Sequence, residues 1–375
     1  MEHNILRMLV GTYTEPILFG TGKVLEGKGK GIYAYDIDTG SGVTTNTGIV
    51  ENVRNPSYLA LSPGGGTLFC VNELKSDDKT TGGMVSAYTL ADDPSEALFL
   101  GSQPTGGADP CYLTLDRSGR LLLTANFMSG SVSVHPVSDG GELAAMSDFR
   151  QHRGSSVDPA RQRGPHAHAV TVSADNRYVF VPDLGIDAIV VYELDSERGA
   201  LRDRDDLAVR VTPGAGPRHL VFSRDNRFAY LINELNSTIT AYRYDPSSGT
   251  LSETDVVSTL PADYDGPSTC AHIEVSRCGR FLYGSNRGHD TIAVFRIDDR
   301  SGQLASIGHF PTGGGCPRSF AIDPTGRFLA AANQDSDAIV LFSIDPDSGA
   351  LVNTGITVAV PTPVCIVFAD IVLLR

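Results

Sequence analysis

The chain has 375 residues, 41% of them hydrophobic and 7% aromatic with no tryptophan, and it carries 40 glycines and 21 prolines. That turn-rich composition excludes a disordered or fibrous chain and leaves ample material for a core. A formal charge of −14 argues against a nucleic-acid or acidic-membrane partner, which would need a basic face, and no apolar run approaches the roughly 20 residues needed to cross a bilayer.

The opening MEHNILRMLVGTY leads directly into a strand pattern with no cleavable apolar segment, so a cytoplasmic protein is expected. Residues 5–13 look like the second strand of a sheet unit that lacks its first strand, and GIYAYDIDTGSG (31–42) supplies the third strand and the turn to a fourth. A repeated unit follows. Its clearest copy is Gly164–Asp195, with period-two apolar runs at His168–Val172, Tyr178–Pro182 and Ala188–Leu194, then a weaker strand at Ala200-Leu201 after an Asp195–Gly199 turn. Copies align on a Gly or Asn between the first two strands, at Gly65, Gly119, Asn176, Asn226, Gly279 and Gly326. Seven residues later each has Asn72, Asn126, Asp183, Asn233, Asn286 or Asn333. Asp38/Gly42, Asp195/Gly199, Asp245/Gly249, Asp298/Gly302 and Asp345/Gly349 repeat the later turn at constant spacing.

Four-strand units recurring at roughly 40 to 55 residues predict β-propeller blades. The end of the chain, from Thr362 to Phe368, resembles the start of another unit. It should be the missing inner strand of the first blade, giving a single domain over residues 1–375, an all-β propeller of seven four-stranded blades closed by strand pairing of the two termini. The short regular turns fall on one face. The long insertions at 14–30, 74–83, 144–165 and 261–268 fall on the other, which is therefore expected to carry function.

The residues eight before each Gly/Asn landmark are Ser57, Cys111, His168, Arg218, Ala271 and Arg318; those eight after are Glu73, Phe127, Leu184, Glu234, Arg287 and Gln334. Both sets should ring the mouth of the central channel. A histidine, several arginines and carboxylates meeting there suit acid/base chemistry on an anionic substrate, because arginine holds carboxylate or phosphate through its planar fork. Salt bridges joining blades are the structural alternative.

Other motifs point to less. His166 and His168 form His-x-His, but only Asp183 stands at a useful spacing as a further ligand, so no metal and no cofactor is expected, and His166 is read as a mouth-lining group. GTGKVLEGKGKG (20–31) lacks the P-loop lysine-hydroxyl ending and reads as a flexible loop at the mouth. Asn236-Ser237-Thr238 matches a glycosylation sequon and carries no weight without a secretory signal. The six cysteines form no Cys-x-x-Cys pair and are expected to be buried and reduced.

The strings GPHAHAV, VPDLGIDAIVVYELD, GPRHLVFSRDNRFAYLINELNSTITAY, YGSNRGHDTIAVF and PRSFAIDPTGRFLAAANQDSDAIVLF resemble the bacterial lactonase family of seven-bladed propellers, which includes propeller-type 6-phosphogluconolactonases and 3-carboxy-cis,cis-muconate lactonizing enzymes. The resemblance spans essentially the whole chain. It implies a metal-independent lactonase, a monomer or weak homo-oligomer, acting on a small anionic lactone. It also implies a site of one histidine of the His166-x-His168 pair with Glu234, Arg218 and Arg287; His168 is taken as that histidine because the repeat register sets it level with Arg218 and Arg318. His168 and Glu234 are expected to share proton transfer, Arg218 and Arg287 to hold the anionic group and the oxyanion, and His166, Arg318, Glu73 and Gln334 to contact substrate. The substrate expected first is 6-phosphogluconolactone, with muconate cyclisation as the alternative reaction. A non-catalytic binding propeller is the alternative of another class; the counted positions offer it one aromatic anchor, Phe127.

Overall fold

The computed structural model describes residues 5–370 other than 20, 39, 76–81 and 92. Seven antiparallel sheets form the blades of a propeller, each with four strands in sequence; blade 4 adds a short fifth, Val209–Arg210, paired with Ala188–Asp195. In blade 1 the order is Pro363–Asp370, Ile5–Thr12, Gly31–Asp38, Thr44–Glu51, so the C-terminal strand pairs with the N-terminal one as expected. The two termini of the chain and the centre of the 74–83 insertion lie outside the described residues.

Each landmark between the first and second strands has a positive φ: 74° at Gly65, 74° at Gly119, 62° at Asn176, 56° at Asn226, 75° at Gly279 and 73° at Gly326. Only glycine and, less readily, asparagine adopt this conformation at small cost, which is why those two residues alternate there. The second strands are buried apart from an end residue in three of them, and along their whole length in Thr67–Asn72, Leu121–Asn126, Tyr178–Asp183 and Phe228–Asn233, because each lies between two neighbouring blades. Adjacent blades share apolar seams. Leu123, Ala125, Val132 and Val134 of blade 3 meet Val170, Val179 and Val181 of blade 4, and Ala330, Ala332 and Leu341 of blade 7 meet Met8, Val10 and Ile366 of blade 1.

Two details differ from expectation. The first strand of blade 4, expected over 168–172, pairs regularly only at Thr171–Val172, with an isolated bridge between Ala167 and Asp183. The Asp183 carboxylate takes the amides of His166 (2.6 Å) and Gly185 (3.0 Å) and a ring nitrogen of His152 (2.6 Å), so a side chain, not a ladder, fixes the entry to this strand. The 14–30 insertion contains a small hairpin, Ile17–Leu18 paired with Val24–Leu25, where a flexible loop was expected. Gly20 lies outside the described residues.

Arginines also staple the far face. Arg117 reaches the carbonyls of Val172 and Ser173 in the next blade, and Arg277 those of Ile322 and Asp323. These cations are spent on backbone carbonyls, and this gives the structural reading its due away from the mouth.

Candidate active site

The functional mouth is built by a repeated backbone device. The amide of the residue ending each second strand donates to the carbonyl of the residue that enters the first strand: Glu73 to Asn55 (3.0 Å), Phe127 to Asp109 (2.9 Å), Leu184 to His166 (2.9 Å), Glu234 to Gly216 (2.7 Å) and Gln334 to Cys316 (3.0 Å). In the split blade the same bond joins Tyr13 to Thr362 (3.2 Å), making Tyr13 the counterpart of Glu73. Past this bond the ladder slips by one residue between Pro110 and Tyr112, Pro217 and His219, and Pro317 and Ser319. Cys111, Arg218 and Arg318 are the extra residues of these bulges. A bulge re-aims one side chain out of the pleat, here toward the axis.

The resulting cavity has a volume of about 180 Å³ and is lined by Glu73, Cys111, Phe127, His168, Glu234, Arg287, Arg318 and Gln334 of the counted rings. Arg218 and His166 do not line it. Arg218 is only 3% exposed and lies behind Glu234, bonded to that carboxylate, to His219 and to the Ala271 carbonyl. His166 bonds the Phe127 carbonyl (2.9 Å) and stacks on the Phe127 ring. Among the described residues no group of three or more His, Cys, Asp or Glu side chains is arranged to hold a metal ion.

Glu234 is the hub. Its Oε2 lies 3.1 Å from Arg218 Nε, 2.9 Å from Arg287 Nη2 and 3.9 Å from His168 Nε2, and its Oε1 accepts from Arg161 Nη2 at 2.6 Å. Burial pushes this carboxyl up, but Arg287, Arg161 and Arg218 outweigh it and hold the pKa well below the usual range. Glu234 is therefore ionised at neutral pH and has no proton to give. His168 is the reverse: burial, then Arg218, holds its imidazole well below its ordinary value, so it is neutral and able to accept. Its Nδ1 faces Cys111 Sγ at 3.6 Å, leaving Nε2 on the Glu234 side. Burial and Arg287 push the Arg218 guanidinium down to about 9, still protonated at neutral pH.

Arg318 differs from the other three arginines. Its guanidinium is flanked by the rings of Tyr13 (5.7 Å) and Phe19 (5.4 Å), and no described residue gives it a hydrogen bond or ion pair. Glu73, whose Oε2 accepts from Tyr13 Oη at 3.0 Å, is pushed upward by burial against the opposing pull of Arg318.

Sequence reasoning missed Tyr13, Arg161 and Asp109. Tyr13 had no landmark to be counted from, because its blade is split between the termini. Arg161 comes from the 144–165 insertion, which has no period. Asp109 was within reach: it stands ten before Gly119, two short of the position counted, where Asn55, Gly216 and Cys316 also take a positive φ.

The comparisons agree with this architecture. A 6-phosphogluconolactonase of Bacillus subtilis is 36% identical over 359 residues, 96% of this chain and 97% of that protein. One of Formosa agariphila is 34% identical over 85% of this chain and 86% of its own length. The solved structure of a periplasmic gluconolactonase from Pseudomonas aeruginosa superposes with a TM-score of 0.89 at 35% identity, covering 97% of this chain and 99% of that one. With the family model described as a lactonase, 7-bladed beta-propeller, matching residues 7–368, the chain belongs to the seven-bladed β-propeller lactonase family.

Proposed function

We propose that this chain hydrolyses 6-phosphogluconolactone to 6-phosphogluconate, working as a single propeller domain. The observation that carries the reading is the buried His168 Nε2 lying 3.9 Å from a Glu234 carboxylate held by three guanidiniums. A lactonase must take a proton from water, stabilise the oxyanion formed at the carbonyl carbon, and return a proton to the ring oxygen as it leaves. His168 Nε2 takes the water proton. Arg287 and Arg161, on the cavity wall and anchored by Glu234, stabilise the oxyanion, while Arg218 positions Glu234 from behind. Three guanidiniums against one carboxylate leave this wall positive, which favours an anionic substrate. Arg318, without a protein acid to pair with, is assigned the phosphate.

The names of the Bacillus subtilis and Formosa agariphila relatives support this substrate. A cytoplasmic location goes with it. A monomer or weak homo-oligomer goes with this reading as well. The second reading is an unphosphorylated gluconolactone, favoured by the likeness to the periplasmic gluconolactonase. The test is the rate of the purified protein on both lactones, with His168→Ala beside it. The phosphorylated lactone should be hydrolysed much faster, and the variant should lose about 10²- to 10⁴-fold in rate while keeping its fold. Full activity in His168→Ala removes the assignment.

A further inference from the structure

Glu234 is held ionised by its arginines, so the proton needed by the departing ring oxygen comes either from His168 after it has accepted the water proton or from a second acid on the cavity wall. We propose, resting on the lactonase reading, that Asp109 is the general acid of this reaction. It lies on the cavity wall, only 4% exposed, and its carboxylate accepts no hydrogen bond from any described residue. The backbone around it is pinned: its amide donates to Leu74 (2.9 Å), its carbonyl accepts from Phe127 (2.9 Å), and its φ of 51° is one that few residues with a Cβ adopt. A buried polar side chain on strained backbone whose one partner among the described residues is a lysine at 4.0 Å, with no hydrogen-bond donor on its carboxylate, is one held for a ligand.

The titratable and charged groups facing it are Glu73, at the end of the second strand of blade 2, Lys75 just beyond, with Nζ at 4.0 Å, and Cys111 on its own strand. Burial first, then Glu73, pushes the Asp109 carboxyl up to about 7, with Lys75 opposing. Besides Glu234 and Asp109 the cavity is lined by two other acids, Glu73 and Asp335, but Glu73 accepts from the Tyr13 hydroxyl, and Asp335 accepts from the Gln334 amide (2.8 Å) and faces Lys23 at 3.7 Å. Two groups whose environments drive their pKa values apart, a base below and an acid above, mark an acid–base pair.

The step balances. Water oxygen bonds to the lactone carbonyl carbon as His168 takes its proton; the bond from that carbon to the ring oxygen breaks as Asp109 protonates it. The new acid group loses its proton to solvent, and His168 returns its proton to Asp109 through solvent.

The deciding variant is Asp109→Asn, because asparagine tolerates a positive φ and Asn55 holds the equivalent place in blade 2 at 38°. After subtraction of spontaneous hydrolysis, the unmodified enzyme should lose kcat as pH rises through about 7, where Asp109 ionises. The variant should lose about 10²- to 10⁴-fold in kcat and show no such limb. A second readout needs no substrate. A folded pKa raised above the unfolded value favours folding while the group is protonated, and that stability is lost as pH rises through the folded pKa. Asp109→Asn should therefore melt above the unmodified protein at pH 8 and level with it near pH 4. A variant that keeps both the rate and the high-pH limb of an active enzyme overturns this proposal alone, and so does an unchanged melting difference between the two pH values. An unmodified protein with no activity on any lactone overturns the functional reading, and this proposal with it.

Discussion

Four guanidiniums gather at one mouth, and their partners sort them. Arg161, Arg218 and Arg287 converge on Glu234, whereas Arg318 lies among aromatic rings with its donors open to the cavity. Removing an arginine that pairs with a protein carboxylate uncovers a buried charge and disturbs the site as a whole. Removing Arg318 breaks no hydrogen bond or close ion pair of the described residues, costs its ring contacts and its pull on Glu73, and takes away its contact with substrate. Arg318→Met should thus raise KM for 6-phosphogluconolactone by about 10- to 100-fold, the value of one charge-assisted bond, and leave unphosphorylated gluconolactone nearly unaffected. Steady-state kinetics on the two substrates decides; equal losses on both assign Arg318 to the lactone itself. Counting along the repeat found Arg318 but could not rank it against Arg218, since both are bulge residues at the same repeat position. What separates them is the neighbour each finds: Glu234 for one, the Tyr13 and Phe19 rings for the other. Phe19 and Arg161 arrive on insertions, where no periodicity exists to be read.

At the scale of strands and turns the sequence was far more legible, because each recurring residue answers a recurring backbone demand. The glycine closing the turn to the fourth strand is an instance. Gly302 takes φ 75° and its amide donates to the Asp298 carbonyl at 2.9 Å. It also seats on the preceding blade: a Cβ there would lie 2.3 Å from the Phe228 ring, and at Gly349 a Cβ would lie 2.5 Å from Phe281. The constant Asp-to-Gly spacing revealed the turn. The contact between blades stayed hidden, because it joins residues more than sixty positions apart. Gly302→Ala combines a strained φ with an overpacked seam, so it should cost about 1–3 kcal/mol, read as a lower melting temperature with lactonase activity kept below the transition. A variant as stable as the parent would mean that the turn does not bear on Phe228. Blade 4 was less legible for the opposite reason: Asp183 replaces the asparagine of the other blades and ties down the entry to the strand that was expected to be regular.

A ring of sheets has no natural end, and the seam between first and last blades decides whether it holds. Here the seam is noncovalent. Residues Leu6 to Gly11 pair in antiparallel register with Cys365 to Asp370, and Val364, Cys365 and Ile366 are each 5% exposed or less. Ile366 joins Met8 and Val10 to Ala330, Ala332 and Leu341 of blade 7, while Cys365 and Leu9 pack with Leu59, Leu68 and Cys70 of blade 2. The closing strand therefore contributes to two apolar seams at once, and it carries Thr362, whose carbonyl receives the amide of Tyr13 at the mouth. Burial of each aliphatic side chain stabilises by roughly 1.5–3 kcal/mol, so the strand as a whole is worth several kcal/mol. That is a large share of the roughly 5–15 kcal/mol typical of a folded protein. A chain lacking residues 361–375 should consequently expose the edge of Ile5–Thr12, melt well below the full chain, and self-associate through that edge. It should also lose lactonase activity before it loses its sheet signal in circular dichroism, because Tyr13 no longer has Thr362 to hold it against Glu73. A truncated chain that melts with the full-length protein and keeps its activity would show that the ring does not depend on this strand.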